Sequence, residues 1–462
     1  MNATEFRSLP LRNDLLDNLV TLNYHAMTPI QAESLPVILA KRDVIAQAKT
    51  GSGKTAAFGL GLLQNLNVKR FRVQTLVLCP TRELADQVAK EIRKLARGIH
   101  NIKVLTLCGG MPFGPQIGSL EHGAHIVVGT PGRVDEHLRK GSLNLDELNT
   151  FVLDEADRML DMGFQPAIDA ILEYVPQQRQ TLLFSATYPS EIEAVAGRIM
   201  NSPERIVVES THDNSSIEQV FCSVSSSDSR SAAVHLLLMQ YRPDSTVVFC
   251  NTKRETSEVA AELREQGFDA LALNGDLEQK MREQILVRFA NKSASVLIAT
   301  DVAARGLDIE ALDLVINYQI SRELEVHTHR IGRTGRAGSQ GVACTLVSDK
   351  ETYKLKSLGE FLEQSLTLTP LPDVSLLNQA AFKSPMATLQ IDGGKKQKVR
   401  AGDIVGALTG KDGVAGKDLG KIHIFDNSAY VAVRRDVASQ AFKKLEAGKL
   451  KGRSFRVRFI RG

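Results

Sequence analysis

Lys54 and Thr55 close the octapeptide AKTGSGKT (48–55), and Asp154 and Glu155 lie well downstream in VLDEAD (152–157). A lysine and a hydroxyl behind a glycine-rich turn can grip phosphates. Two adjacent acids can hold a divalent cation and a water. In such a loop, Gly51 and Gly53 let backbone amides approach phosphate oxygens, with Lys49, Thr50 and Ser52 completing the cradle. Lys54 would reach the β- and γ-phosphates and Thr55 would bind Mg2+. The first loop position is usually glycine; here it is Ala48, which fits if its φ is negative. Asp154 is expected to hold the metal and Glu155 to act as general base on the attacking water.

This chemistry needs strand ends to carry it. RDVIAQ precedes the glycine-rich loop, and QTLVLC, HIVVGT, TFVLDE and QTLLFSA follow at intervals filled by helical stretches. After the polar run ESTHDNSSIEQ (209–219) the pattern restarts with STVVFC, DALALN, SVLIAT, DLVINY and GVACTLV. Nearly continuous apolar strands alternating with helices indicate two α/β domains with buried parallel sheets. Ligands of such sheets bind beyond the carboxyl ends of the strands. The polar run is the expected hinge, and TLTPLPDVSLLNQAAFKSP marks a second boundary. The expected domains are therefore 1–208, 209–370 and 385–462, with a linker over 371–384.

Composition narrows the class. With 43% hydrophobic and 24% charged residues, the 462-residue chain is ordinary for a globular protein. It has no apolar run long enough to span a bilayer and no secretory leader pattern, so a cytoplasmic protein without membrane contact is expected. Five scattered cysteines, with no CxxC pair, argue against a disulfide framework or a zinc site. Net charge is +4, but residues 383–462 carry 18 Lys/Arg against 7 Asp/Glu, a local +11. The preceding 382 residues therefore carry −7. A basic appendage on a mildly acidic body suits a polyanion. No coiled coil or exposed apolar repeat calls for an obligate dimer, so a monomer is expected.

Further motifs appear in a fixed order. MTPIQ (27–31), PTREL (80–84), Gly109–Gly110, TPGR (130–133) and SAT (185–187) flank the phosphate loop and the acids. VFCNTK (248–253), QKMR (279–282), ATDVAARGLD (299–308) and HRIGRTGR (329–336) follow in the second half. With these motifs the chain resembles a DEAD-box RNA helicase over its first 370 or so residues. The resemblance implies two tandem RecA-like domains using ATP and Mg2+. Gln31 would read adenine, with Thr28 and Tyr24 beside it. Gly306 and Asp308 would complete the nucleotide site, and Arg333 and Arg336 would be arginine fingers. Pro80, Thr81, Arg82, Gly110, Thr130 and Arg133 would hold RNA in the first domain, and Gln279, Arg282, Thr300 and Asp301 in the second. Such short polar or basic side chains suit phosphates and 2′-hydroxyls, which carry little sequence information. RNA laid across both domains would favour their closure, so ATP and RNA should bind cooperatively. Where the family often has His-Gly-Asp, this chain has Asn274-Gly275-Asp276; Asn274 can still donate a hydrogen bond. His327 and His329 are spaced for a metal, but no Cys or carboxylate cluster supports one.

The tail reads β-α-β-β-α-β, a ferredoxin-like order. With its charge it resembles an RRM-type RNA-binding domain. The usual stacking positions are poorly filled, by Gln390, Ser428 and Val433; only Tyr430 is aromatic. Tyr430 is either a base-stacking residue or a partly buried strand tyrosine. An RRM-like tail on this core resembles the bacterial DbpA group of helicases. That resemblance implies recognition of a 23S ribosomal RNA hairpin and work on the pre-ribosomal large subunit. An ATP-gated RNA clamp would use the same motifs, and strand release distinguishes the two. A DNA translocase is disfavoured by the resemblance.

Overall fold

The computed structural model describes residues 5–48, 51–208, 217–225, 229–304, 312–335, 340–410 and 413–460. Residues 209–216 of the expected hinge, together with Lys49, Thr50, Gly306, Asp308 and Arg336, lie outside the described residues. The chain forms two compact units, the second holding both the later α/β domain and the basic tail.

The first unit is built on seven parallel strands: β1 (Val44–Gln47), β2 (Thr75–Leu78), β3 (Val104–Leu107), β4 (Ile126–Gly129), β5 (Thr150–Asp154), β6 (Gln180–Ser185) and β7 (Glu204–Val207). Their order is β3-β4-β2-β5-β6-β1-β7. Alternate strand residues feed two separate cores. Val44, Ala46, Val77, Val152 and Phe184 enter one. Ile45, Leu76, Leu78, Phe151 and Leu183 enter the other. Burial on both faces is why these strands read as unbroken apolar runs.

The order also divides labour at the carboxyl edge. The phosphate loop, the DEAD acids and SAT follow β1, β5 and β6. PTREL, Gly109–Gly110 and TPGR follow β2, β3 and β4. The motifs expected to hold nucleotide and those expected to hold RNA thus occupy neighbouring halves of one sheet.

The second unit repeats the plan with β8 (Ile217–Val224), β9 (Thr246–Cys250), β10 (Ala270–Leu273), β11 (Val296–Thr300), β12 (Leu314–Asn317), β13 (Gly341–Ser348) and the two-residue β14 (Leu368–Thr369), all parallel, in the order β10-β11-β9-β12-β13-β8-β14. The stretch expected as a linker lies along this domain: Leu371, Leu376, Ala381 and Phe382 pack on its core.

The tail forms β15 (Met386–Ile391), a helix Ala401–Thr409, β16 (Leu419–Ile424), β17 (Ala429–Arg434), a helix Ala438–Ala447 and β18 (Val457–Phe459). The strands pair antiparallel in the order β16-β17-β15-β18. Leu389, Ile391, Val431 and Val433 face the two helices and form the core with Ile404, Leu408, Ala441 and Leu445. The fold is α/β with two tandem RecA-like sheets and an α+β RRM-like domain, as the sequence led one to expect.

Candidate nucleotide and RNA sites

The phosphate loop is shaped by two glycines with positive φ, Gly51 at +85° and Gly53 at +95°. Gly53 caps the helix Lys54–Asn65, whose first amides face the loop and favour an anion. Lys54 is buried, and its ammonium donates to the Ala48 carbonyl at 2.6 Å. Gln31 spans to this loop: its Oε1 accepts from the Thr28 amide at 3.0 Å and its Nε2 donates to the Gly53 carbonyl at 3.1 Å. A Cβ on Gly53 would lie 2.5 Å from Gln31 Nε2 and 2.9 Å from Thr28 Oγ1. Tyr24 is half-buried, donating to Glu91 at 2.7 Å and packing edge-on against Phe6.

Several buried polar atoms around this loop have no hydrogen-bond partner: Thr28 Oγ1, Ser52 Oγ and Glu155 Oε2. Arg158 Nε lies 3.6 Å from Glu155 Oε2, close enough for charge attraction but not for a hydrogen bond. Unpaired buried oxygens are costly, so they fit a polar ligand and its water. Asp154 ends β5, and burial pushes its carboxyl up to about 7, with Glu155 adding to the rise and Lys54 opposing it. A divalent cation would relieve that cost. Among the described residues no three His, Cys, Asp or Glu side chains cluster as a metal cage. Mg2+ takes one or two protein ligands and fills its shell with phosphate and water. Thr55 and Asp154 would be those ligands. Glu155 itself adopts left-handed backbone, φ 53° and ψ 52°, a conformation that costs a non-glycine residue about 1–2 kcal/mol.

Sequence reasoning missed Asp157, the last acid of the motif. Its Oδ2 accepts from the Ala186 amide at 3.2 Å, the Thr187 amide at 3.0 Å and the Thr187 hydroxyl at 3.0 Å. The Ser185 hydroxyl accepts from the Asp157 amide at 3.3 Å. Burial alone would raise its pKa, but the charge of Arg158 and the Thr187 hydrogen bonds hold it below the usual range. Asp157 therefore ties the acids after β5 to SAT after β6. The only hint in the sequence was a third acid two residues beyond Glu155.

On the other half of the sheet, Thr81 caps the helix Arg82–Leu95 and accepts from the Leu84 amide at 3.2 Å. Pro80 precedes it, buried. Arg82 lies over Gly110, whose φ is +70°; any Cβ there would run into the guanidinium. Thr130 precedes the helix Pro131–Arg139, and the Gly109 amide points to its hydroxyl at 3.5 Å. Arg133 donates to the Met111 carbonyl at 2.9 Å and to Gln116 Oε1 at 3.0 Å. So the three predicted RNA motifs of this domain are joined to one another. His137, missed by sequence reasoning, contacts the same Gln116 oxygen at 2.9 Å. Thr300 repeats the pattern in the second unit: its hydroxyl accepts from the Ala303 amide at 3.3 Å. Thr81, Thr130 and Thr300 all stand at helix N-termini, where anions are favoured.

In the second unit Arg330 of HRIGRTGR is bonded to several elements at once. It is 1% exposed and pairs with both oxygens of Asp301 at 2.7 Å. It also donates to Asn251 Oδ1 at 2.8 Å and to the Gln319 carbonyl at 3.1 Å. Asp301 is thereby committed to an ion pair that joins the motifs after β9, β11 and β12. Arg333 is buried a turn later. Arg282 donates to the Ala303 carbonyl at 2.8 Å, in the helix Gln279–Ala290 that Gln279 begins. Asn274 donates to Thr256 Oγ1 at 2.9 Å and accepts from the Asp276 amide at 3.1 Å. His327 is buried against Phe221 and within 3.2 Å of Gln219 Oε1; burial, then Arg330, lower its pKa to about 4.

Tyr430 is 3% exposed, with Phe425 edge-on to its ring at 5.5 Å. The expectation that it stacks on RNA bases is corrected by this burial: no ring face is open to a base. Of the two readings left open by the sequence, the buried strand tyrosine is the one this geometry supports.

Comparison with known proteins agrees with this architecture. Residues 28–195 match the model of the DEAD/DEAH box helicase domain, 229–338 the helicase conserved C-terminal domain, and 388–459 the DbpA RNA binding domain. The chain is 54% identical to ATP-dependent RNA helicase DbpA of Escherichia coli, over 96% of this chain and 97% of that protein. It is 35% identical to ATP-dependent RNA helicase DbpA of Bacillus subtilis, over 98% and 99%. Among solved structures, S. cerevisiae Dbp5 bound to RNA and ADP BeF3 aligns with a TM-score of 0.72 at 28% identity, covering 82% of this chain and 100% of that one. Mss116p bound to single-stranded RNA and AMP-PNP gives 0.70 at 27% identity, covering 81% of each. Identity of 54% and 35% to the two DbpA proteins, over at least 96% of each chain, shows that this chain belongs to the DbpA group of DEAD-box ATP-dependent RNA helicases.

Proposed function

We propose that this ATP-dependent RNA helicase acts on structured 23S ribosomal RNA during large-subunit assembly, as a cytoplasmic monomer. The observation that carries the substrate is the match of residues 388–459 to the DbpA RNA binding domain, within residues 383–462 of net charge +11. No helix among the described residues is long and apolar enough to cross a membrane. Domains are taken to run over 1–208, 209–370 and 385–462.

Residues of this chain divide the work as follows. Lys54 and the amides after Gly53 hold the phosphates, and Gln31, Thr28 and Tyr24 the base. Mg2+ held by Thr55 and Asp154 would neutralise charge developing on the phosphates. Glu155, with its unpartnered Oε2, accepts the proton of the attacking water. Arg333 and Arg336 supply the positive charge that stabilises the transition state once the domains close; in related enzymes such a finger is worth on the order of 10³–10⁵ in rate. Arg82, Arg133, Gln279, Arg282 and the three threonines bind backbone. Asp301 acts through Arg330.

The test is ATP turnover against graded 23S and 16S ribosomal RNA at equal nucleotide concentration. Half-maximal stimulation is expected at about tenfold lower 23S concentration, a difference of 1.4 kcal/mol. Equal curves would sink the ribosomal assignment. Undiminished RNA-stimulated hydrolysis by Lys54→Ala or Glu155→Gln would sink the catalytic one.

A further inference from the structure

The outer face of the tail's sheet, which an RRM ordinarily offers to bases, is not open. Strand pairing sets His423, Tyr430, Gln390 and Arg458 in one row across it. Thr388 and Ala432 form the next row. Thr388, Gln390, Tyr430 and Ala432 are each 3% exposed or less.

What covers this face is the helicase's own second domain. Asn291 caps the helix Gln279–Ala290. Its Nδ2 donates to Thr388 Oγ1 at 3.1 Å, and its Oδ1 lies 3.1 Å from His423 Nε2. Ser293 Oγ meets Thr388 Oγ1 at 2.7 Å. Gln284 Nε2 donates to Gln390 Oε1 at 3.2 Å. At the rim, Arg435 pairs with Asp269 at 2.8 Å and donates to the Ser384 carbonyl at 2.6 Å. Asp269 also accepts from the Ser384 amide at 3.0 Å.

Buried polar contacts of this kind hold one orientation, because any other leaves the same atoms unpaired. The missing aromatics then have a positive explanation: Thr388, Gln390 and Ala432 are the side chains a docking face needs. The helix matters as much as the face. Its first turn carries Gln279 and Arg282, which the proposed function assigns to RNA backbone. Its later turns and cap carry Gln284 and Asn291, which hold the tail.

We infer that Asn291, Ser293, Thr388 and Gln390 are positioning residues that clamp the tail to the second domain. RNA bound by the tail is therefore presented to Gln279 and Arg282 at a fixed distance and angle. The RNA itself must be taken on the basic surfaces that remain outside this face. A flexible tether would raise local RNA concentration without orienting it; a clamp does both.

The use of this geometry rests on the ribosomal reading above, but the clamp can be tested apart from it. Arg254→Cys on the second domain and Glu446→Cys on the tail accept a fluorophore pair in the full chain, since all five native cysteines are buried. The wild-type chain is expected to show one narrow energy-transfer population without RNA. Thr388→Arg, which points away from the tail's own core, should broaden it and lower its mean. That variant should raise the 23S RNA concentration for half-maximal turnover about tenfold. Its poly(U)-stimulated kcat should be unchanged. Thr388→Val removes the hydrogen bonds without added bulk, so a partial shift in the same direction guards against a folding defect. Broad transfer in the wild type, or transfer unaltered by Thr388→Arg, would overturn the clamp. One narrow population together with equal response to 23S and 16S RNA would support the clamp and overturn the ribosomal reading alone.

Discussion

Replacing Asp157 by alanine should cost the first domain about 3–5 kcal/mol. The side chain accepts two amides and a hydroxyl from Ala186 and Thr187 through one oxygen, and the Arg158 amide at 3.0 Å through the other. Removing a buried charged acceptor leaves those donors without partners and takes away one of the two acids beside Arg158, and such losses run to about 3–5 kcal/mol. Against a typical total of about 5–15 kcal/mol, the effect is large. Asp157→Asn keeps an oxygen for Thr187 but loses the charge, so about 1–2 kcal/mol is expected. Urea unfolding at pH 7 measures both. The pH dependence has a definite sign. A carboxyl held below its ordinary pKa in the folded state stabilises fully above the ordinary range. That stabilisation fades as pH falls through it. The alanine variant's deficit relative to wild type should therefore narrow in acid. Because Asp157 joins the DEAD acids to SAT, Asp157→Asn should keep its affinity for ATP yet lose RNA-stimulated turnover about tenfold. An alanine variant within 1 kcal/mol of wild type, as the refuting result, would mean the SAT segment is held by something other than these bonds.

Two shorter tests follow. Gly53→Ala would force a Cβ to within 2.5 Å of Gln31 Nε2 at φ +95°, so ATP affinity should fall about ten- to thirtyfold, as isothermal titration would show. Arg330→Lys cannot reproduce the paired bonds to Asp301 and the further bonds to Asn251 and Gln319; it should cost about 3–5 kcal/mol and lower the melting temperature of the second unit by about 10 °C in calorimetry.

Much of the architecture was legible in the chain because buried parallel strands have a plain signature. TLVL, IVVG and QTLLFS are apolar on both faces, and glycine with positive φ marks the phosphate loop without help from the rest of the fold. The nucleotide residues could be named for the same reason: their chemistry is local. What the sequence hid was each side chain whose partner lies far along it. Asp157 reads as another acid until Thr187 is seen beside it. Arg330 looks less informative than Arg333 until Asp301, Asn251 and Gln319 converge on it. Tyr430 shows the limit most clearly. Alternation along AYVAVR tells which residues share a face, but nothing in a strand's own pattern says whether that face meets water, RNA or a neighbouring helix.

The stretch 371–384 carries a practical consequence for where this protein can be cut. Pro372 within it and Pro370 and Pro385 at its edges make it look like a natural seam, yet Leu371, Leu376, Ala381 and Phe382 pack on the second domain's core and Ser384 is held by Asp269. A chain ended after Ser384 would keep that strap but bare Gln284, Asn291 and Ser293 to solvent. Shorter still, it would lose part of a core. A truncated protein is thus not the helicase minus its tail. It is a helicase with a new surface on the very helix that begins with Gln279, and a defect measured in it mixes two causes that a point substitution at Thr388 would keep apart.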